Sequence, residues 1–525
     1  MNDPGQSLPS FDINFIKINQ LAYKFNKTIT IDNEYNEQLI DISSQCLELM
    51  EKYQALNPSY ILMISYLQST QTQNITRSTH KSQVQYDETW ALQINQKFEK
   101  SRLMLNKDIA AYNDQSQGLK TEESVNLFQK IKTIVIKLVI QNNYEDALTY
   151  LNQFANLVDF SSQPKTKEQF KNNKYIEFLF FRYVINLFSL IWFPNNNDSN
   201  EKNLEIFDDD AGIPSNAIST TSFKALTKIY NLSITYHSKN ILLFDEQDDE
   251  TKYFHTISLM NLAVLFKQFQ FIDFYKEFTS LFLSNNESSK YLFSNFLSGQ
   301  SFMRETLLAM YLIALMFVKP FGALRSIILD NEEIADLICE DPNTIEFKLY
   351  NLIIKPLSKF NIIEVKKNLQ SVQLNLEIIS TIGYLFPKSN SKESTQDPFL
   401  SYAHRMIDLK NFLLVLSNCS RVSKSDLFRL LGYDVRVSDV ENSSTLTELT
   451  ESFIMVMSAL QLGKVGIKYS IQDEVFINSF DESHLKKEMV KTQGEIDNLT
   501  IDITAESTCA LLTNVLTEKY FQLEE

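Results

Sequence analysis

Five histidines, His80, His237, His255, His404 and His484, stand apart along the chain, and none begins an HExxH or HxH pair. A zinc site needs imidazoles brought together at such spacings, so neither a zincin nor a metal-dependent isopeptidase site is legible. His404, in SYAHRM, reads as a surface or helix-packing residue. The four cysteines, Cys46, Cys339, Cys419 and Cys509, form no CxxC pair. That spacing fits a reduced intracellular protein with neither a zinc ribbon nor a disulfide framework. Cys419, in LSNCSRVS, has Arg421 nearby but no evident general base, and reads as a buried structural thiol. The acidic run FDDDAG lacks the spaced carboxylates and terminal Glu of a calcium loop, and reads as solvated. GxxxxGKS/T, GxGxxG and GxSxG are all absent. These residues imply no catalytic site, no metal and no cofactor.

With no such chemistry to position, the elements must serve another purpose. The chain has 525 residues, 44% hydrophobic and 12% aromatic, which suits two to four folded domains or one extended solenoid. Only 10 Gly and 11 Pro favour helices over turn-rich architectures. The net charge of -16 argues against general nucleic-acid binding, which needs clustered Lys and Arg. The opening MNDPGQSLPS has no basic region followed by an apolar stretch, so no signal peptide is expected. Residues 307–318 are too short an apolar run to span a bilayer, and YIEFLFFRYVINLFSLIWF is interrupted by Glu177, Arg182 and Asn186. Both read as buried helices.

Polar stretches at 69–85, 194–222, 244–250 and 387–398 read as loops. Between them apolar residues recur at helical spacing. Val125, Phe128, Ile131, Ile134, Val135 and Leu138 line one face, and Ala147, Leu148, Leu151 and Phe154 the next. NNYEDALTYL between these faces has the form of a tetratricopeptide-like hairpin turn, and a similar unit returns at 258–282. The irregular spacing predicts a degenerate helical-repeat solenoid.

Near the end, SKSDLFRLLG predicts a short helix capped by Ser425, with Leu427, Leu430 and Leu431 inward and Gly432 as its stop. A longer helix over 445–461 buries Leu446, Leu449, Phe453, Val456 and Leu460, and Gly463 ends it. Val465, Ile467 and Tyr469 then alternate with polar or small residues, and Val475, Phe476 and Ile477 continue on a second strand. Helix, helix and ribbon in this order predict a winged helix. The second helix has no Lys or Arg and carries Glu448 and Glu451, and residues 411–480 hold eight acidic and six basic side chains. DNA reading is therefore the weaker hypothesis, and the ribbon is expected to be an edge that accepts a neighbour's strand. In the tail, Leu511, Leu512, Val515, Leu516 and Phe521 form an apolar stripe at helical spacing, expected to pack on its own module or to join helices of other subunits.

Three stretches of residues 88–480 carry a family resemblance. SRLMLNKDIAAYNDQSQGLKTEESVNLFQKIKTIVIKLVIQNNYEDALTYLNQFANLV resembles the passage from a long helix into the first repeats in PCI-family proteins, especially the largest signalosome subunit and its proteasome-lid counterpart. ETLLAMYLIALMFVKPFGALRSIILDNEEIADLICEDPNTIEFKLYNLIIKPLSKF resembles the first PCI helices. SKSDLFRLLG with ELTESFIMVMSALQLGKVGIKYSIQDEVFINSF resembles the family's winged helix, although Lys464 stands where an apolar residue is usual. The resemblance implies a mostly α fold: a divergent segment over 1–85, TPR-like helical repeats over 86–300, a PCI domain over 301–480 and a helical tail over 481–525. Within the PCI domain it implies a helical part over 301–386 and a winged helix over 411–480. It also implies a non-catalytic scaffold in cytoplasm and nucleus, without membrane or nucleic-acid partners.

The implied partners are other PCI subunits, a separate metalloprotease subunit and, through the complex, cullin-type ubiquitin ligases. The enlarged polar loops favour the COP-nine signalosome, with its role in cullin deneddylation and ubiquitin conjugation. The proteasome lid, an mRNA-export or translation-initiation scaffold, and a winged-helix DNA-binding regulator are the alternatives. The purified chain should show no peptidase, nuclease or nucleotide hydrolase activity. An activity abolished by mutating a specific residue of the isolated chain would contradict this reading.

Overall fold

The computed structural model describes residues 11–29, 37–71, 86–113, 121–158, 160, 164–189, 218–243, 245, 248–284, 287–298, 303–382, 398–433, 440–459 and 466–478. Among the described residues the protein is mostly helical with one small sheet. It divides into two compact units, Met1–Val264 and Leu265–Glu525. This boundary lies ahead of the 300/301 boundary that the resemblance implies.

The first unit holds α1 (Phe15–Ile29), α2 (Glu37–Tyr53), α3 (Tyr60–Gln71), α4 (Glu88–Asn113) and α5 (Thr121–Ile140). It continues with α6 (Tyr144–Leu157), α7 (Lys167–Asn173), α8 (Tyr175–Leu187), α9 (Ile218–Lys239) and all but the last turn of α10 (Asp249–Lys267). Helix α5 packs against α1, α4, α6 and α7, so it is buried on more than one face. Phe128, Ile131, Ile134, Val135 and Leu138 are buried as their spacing predicts, while Val125 near the helix start is half-buried. Asn142 takes a left-handed φ of 59°, and the Asn143 side chain accepts the Asp146 N–H to cap α6. Ala147 is fully buried where the two helices meet, with Leu151 and Phe154, whereas Leu148 is half-buried. The N-terminal segment belongs to this packing. Asn19 donates to the Val139 carbonyl at 3.1 Å and Asn57 to the Ile140 carbonyl at 3.0 Å, at the end of α5 where the last carbonyls lie beyond the regular helical bonds.

At the centre of the unit an ionic cluster is shut away from water. Lys132 on α5 lies 2.6 Å from Glu177 on α8 and donates to the Tyr253 hydroxyl on α10 at 3.0 Å. Its ammonium also lies 5.5 Å from the centre of the Tyr253 ring. Glu250 on α10 accepts the N–H groups of Ile176 and Glu177 at 3.1 and 3.3 Å, covering the open first turn of α8. Helix α8, read as one buried segment, is buried at Ile176 through Phe181 and again at Tyr183 through Leu187.

The second unit opens with α11 (Phe271–Phe282), α12 (Glu287–Leu292), α13 (Arg304–Val318), α14 (Leu324–Leu329), α15 (Glu332–Cys339) and α16 (Ile345–Leu349). Then come α17 (Lys355–Ser358), α18 (Ile362–Leu369), α19 (Val372–Ile382) and α20 (Pro398–Asn418). Strand β1 (Arg421–Ser423), α21 (Lys424–Leu430), α22 (Val440–Ala459), β2 (Ile467–Ser470) and β3 (Val475–Asn478) follow. Helix α13 is buried from Thr306 to Val318, packed by α11, α16 and α19. Lys410 on α20 reaches its C-terminal end and donates to the carbonyls of Met316, Phe317 and Lys319 at 2.8, 3.1 and 2.7 Å. A cation at that end answers both the unpaired carbonyls and the helix dipole. No helix of the described residues is long and apolar enough to cross a membrane.

Burial, with the adjacent Glu177 charge second, pushes Glu250 from its ordinary 4.5 up to about 8. The folded chain thus holds a proton that the unfolded chain has released. The stability this contributes is fully present below pH 4.5 and is lost as the pH rises to about 8. Glu250→Gln keeps the acceptor oxygen and removes the titration. Its stability relative to the natural chain should rise by on the order of 1 kcal/mol per pH unit across that window. Urea unfolding of both proteins through the window measures this. A difference that stays flat with pH would contradict it.

Candidate protein-interaction site

The sheet has three strands in the order β1-β3-β2, both pairs antiparallel. Strand β3 therefore lies in the middle, not at the edge, which corrects the expectation that residues 475–479 offer a free edge. The cause is β1, which a three-residue run between two helices gives no periodicity to reveal. Its hydrogen bonds fix which backbone groups are free. The Asn478 N–H donates to the Ser420 carbonyl and the Lys424 N–H to the Glu474 carbonyl, each at 2.8 Å, on either side of the Val422–Phe476 pair. Phe476 thus turns its backbone toward β1, and by alternation Val475 and Ile477 turn theirs toward β2, opposite Ser470 and Lys468. The outward N–H and C=O groups of β2 are those of Ile467 and Tyr469, and no described strand lies beyond them.

The side chains follow from the same pleat. Phe476 is fully buried, 5.2 Å from the ring of Phe412 on α20 and 4.5 Å from Tyr469 across the strand pair. Phe412 stacks on Phe453 of α22 at 4.1 Å. Ile467 and Val475 are buried too, while Tyr469 and Ile477 are half-buried. Burial, and then Glu474, raise the Tyr469 hydroxyl above its ordinary range, so the ring stays neutral at the edge. Val465, the other expected strand residue, and the tail stripe Leu511, Leu512, Val515, Leu516 and Phe521 lie outside the described residues.

The helices beside the sheet also depart from expectation in detail. Ser423, not Ser425, caps α21 by accepting the Asp426 N–H at 3.0 Å. Leu427, Phe428 and Leu431 are buried, and Leu430 is exposed because it lies about 110° from the centre of their arc at 3.6 residues per turn. Gly432 closes the helix at φ +82°, as its position predicts. On α22, Leu449, Phe453 and Val456 are buried; the Leu446 side chain, Leu460 and Gly463 lie outside the described residues. Its outward face carries exposed Glu451, Ile454 and Met455, and the helix contains no Lys or Arg. Such a face suits protein better than phosphate.

Two polar networks that support the sheet were not legible in the sequence. Asn478 donates its side-chain amide to the Leu416 carbonyl at 2.6 Å, tying β3 to the end of α20. Lys366 on α18 lies 2.6 Å from Asp408 on α20, which also accepts the Tyr433 hydroxyl at 2.6 Å. These partners lie 42 and 25 positions apart along the chain, so no local pattern joins them. His404 on α20 is half-buried, and burial followed by the Lys366 charge pushes it down to about 4, leaving it neutral. Cys419 is only half-buried, contrary to expectation, because it sits past the last turn of α20. Among the described residues no three His, Cys, Asp or Glu side chains gather to hold a metal. No family model matches the chain, and no curated protein matches it.

Proline substitutions separate the strands. Ile477→Pro removes an N–H bonded to β2 and Phe476→Pro one bonded to β1, while Tyr469→Pro removes one that faces outward. Relative to alanine at the same position, which corrects for the lost side chain, the first two should cost about 1–3 kcal/mol more than the third in urea unfolding. Equal penalties at all three positions would place Tyr469 inside a ladder.

Proposed function

We propose that the chain is a non-catalytic PCI-type scaffold subunit of the COP-nine signalosome. The observation that carries the reading is the terminal module: a helix–strand–helix–helix–strand–strand order with an edge at β2 that no described strand covers, beside a helix face without cations. That order is the one a winged helix uses, and the edge offers backbone groups to a strand from another subunit. The paired α5 and α6, with a capped Asn142–Asn143 turn, support the repeat-bearing stem. The enlarged polar loops favour the signalosome over the proteasome lid. In this role the chain supports cullin deneddylation carried out by a separate metalloprotease subunit, in cytoplasm and nucleus. Its partners are other PCI subunits and, through the complex, cullin-type ubiquitin ligases. The absence of Lys and Arg from α22 weighs against the DNA-binding alternative.

Affinity purification from the native cell tests the reading. PCI subunits and a cullin-deneddylating metalloprotease should copurify with the natural chain. Tyr469→Pro should diminish that set while the chain stays folded, and so should deletion of residues 505–525. Recovery of proteasome particles would instead assign the lid, and recovery of the isolated chain alone would overturn the scaffold reading.

A further inference from the structure

Two phenylalanines in the second unit occupy left-handed backbone, Phe269 and Phe360, each at φ 57°. That region suits glycine and is strained for a bulky side chain. At Phe269 the strain has an evident offset, because the ring is 2% exposed and meets Phe271 at 5.8 Å. Phe360 stands just beyond α17, where its N–H and that of Asn361 bond back to Leu357 and Pro356. There the ring is 50% exposed, so the chain accepts the strained backbone without burying the side chain.

Ile363, one turn further on, is 64% exposed. Both side chains lie over glycines. Phe360 Cζ sits 3.5 Å from where a Cβ on Gly322 would be, and Ile363 Cγ1 sits 3.4 Å from the same point on Gly432. The result is a shallow apolar shelf with a floor of bare backbone. Exposed Lys359 and Lys367 flank Ile363 at four-residue spacing, and exposed Arg325 lies one turn beyond Gly322. None of these three cations forms an ion pair with a described carboxylate. Glu364, the carboxylate next to Ile363, accepts from the Asn361 side chain. In a chain of net charge -16, this is a cationic rim around exposed apolar groups.

We propose that this shelf binds an acidic amphipathic helix of a partner protein, with apolar side chains on Phe360 and Ile363 and carboxylates on Lys359 and Lys367. Charge complementarity selects the occupant: a basic helix would be repelled, and an anionic membrane would meet a molecule that is acidic overall.

The test uses the full chain and a labelled peptide of about 18 residues, with leucines at helical spacing and glutamates between them, read by fluorescence anisotropy. The glutamate peptide should bind about tenfold or more tightly than its lysine counterpart, and added salt should weaken it. Phe360→Gly should weaken binding about tenfold or more and yet raise the urea midpoint, because glycine relieves the backbone. Lys359→Glu with Lys367→Glu should abolish binding without moving the midpoint. Unchanged binding by either variant, or a lowered midpoint in Phe360→Gly, would overturn the proposal. So would preferential capture by phosphatidylserine vesicles. A large rise in affinity on deleting residues 505–525 would assign the shelf to the chain's own tail and overturn the partner assignment.

Discussion

The burial of Phe476 fixes what the terminal module can do. Its ring closes on Phe412, which stacks on Phe453, so β3 must present that side chain inward. A slip of one residue in either strand pair would expel the ring to the opposite face. The register that results turns alternate backbone groups of β3 toward β1 and β2, using up its hydrogen-bonding capacity on both sides. Among the described residues the sheet's outer rows are those of β1 and β2, and on β2 that row is short: the groups of Ile467 and Tyr469. A short edge with Lys468 between them is a guarded one, open to a matching strand but poorly suited to indiscriminate aggregation.

Buried charge is the second constraint, and each unit meets it separately. Lys132 and Glu177 are 1% and 0% exposed, with Tyr253 as a further acceptor for the ammonium. Lys366 and Asp408 repeat the arrangement, with Tyr433 donating to the carboxylate and the Leu431 carbonyl accepting from the lysine. Neither pair is a strong source of net stability, because desolvation offsets much of the attraction. Their effect is on geometry: a helix displaced by one turn would leave a charge buried without its partner, at several kcal/mol. Lys410 works differently, since its partners are backbone carbonyls that need a donor in any case.

The sequence disclosed what local spacing can disclose. The apolar stripe of α5, the Asn142–Asn143 turn and the burial of Leu449, Phe453 and Val456 all lie within a few residues of the pattern that announces them. Gly432 was legible for the same reason, since a helix end asks for a residue that tolerates positive φ. What escaped was non-local. Strand β1 has three residues and owes its existence to β3, 54 positions away at the Val422–Phe476 pair. Once it is present, the expected edge becomes the centre of the sheet. Leu430 was misplaced by a smaller error: Phe428, not Leu430, shares the buried arc with Leu427 and Leu431.

Irregularities in this protein fall into two kinds, and burial tells them apart. Lys132, Phe269 and Glu250 each break a local preference inside a packed setting, and each has neighbours that account for it: an ion pair, an aromatic contact, an uncapped helix end. Phe360 and the outer row of β2 break preferences at the surface. There a left-handed phenylalanine gains little burial, and two backbone positions face no described strand. Folding stability alone gives no reason to retain either feature, because glycine would suit the first and a longer β1-like neighbour the second. Surface features that folding does not require are the ones left to be matched by other molecules.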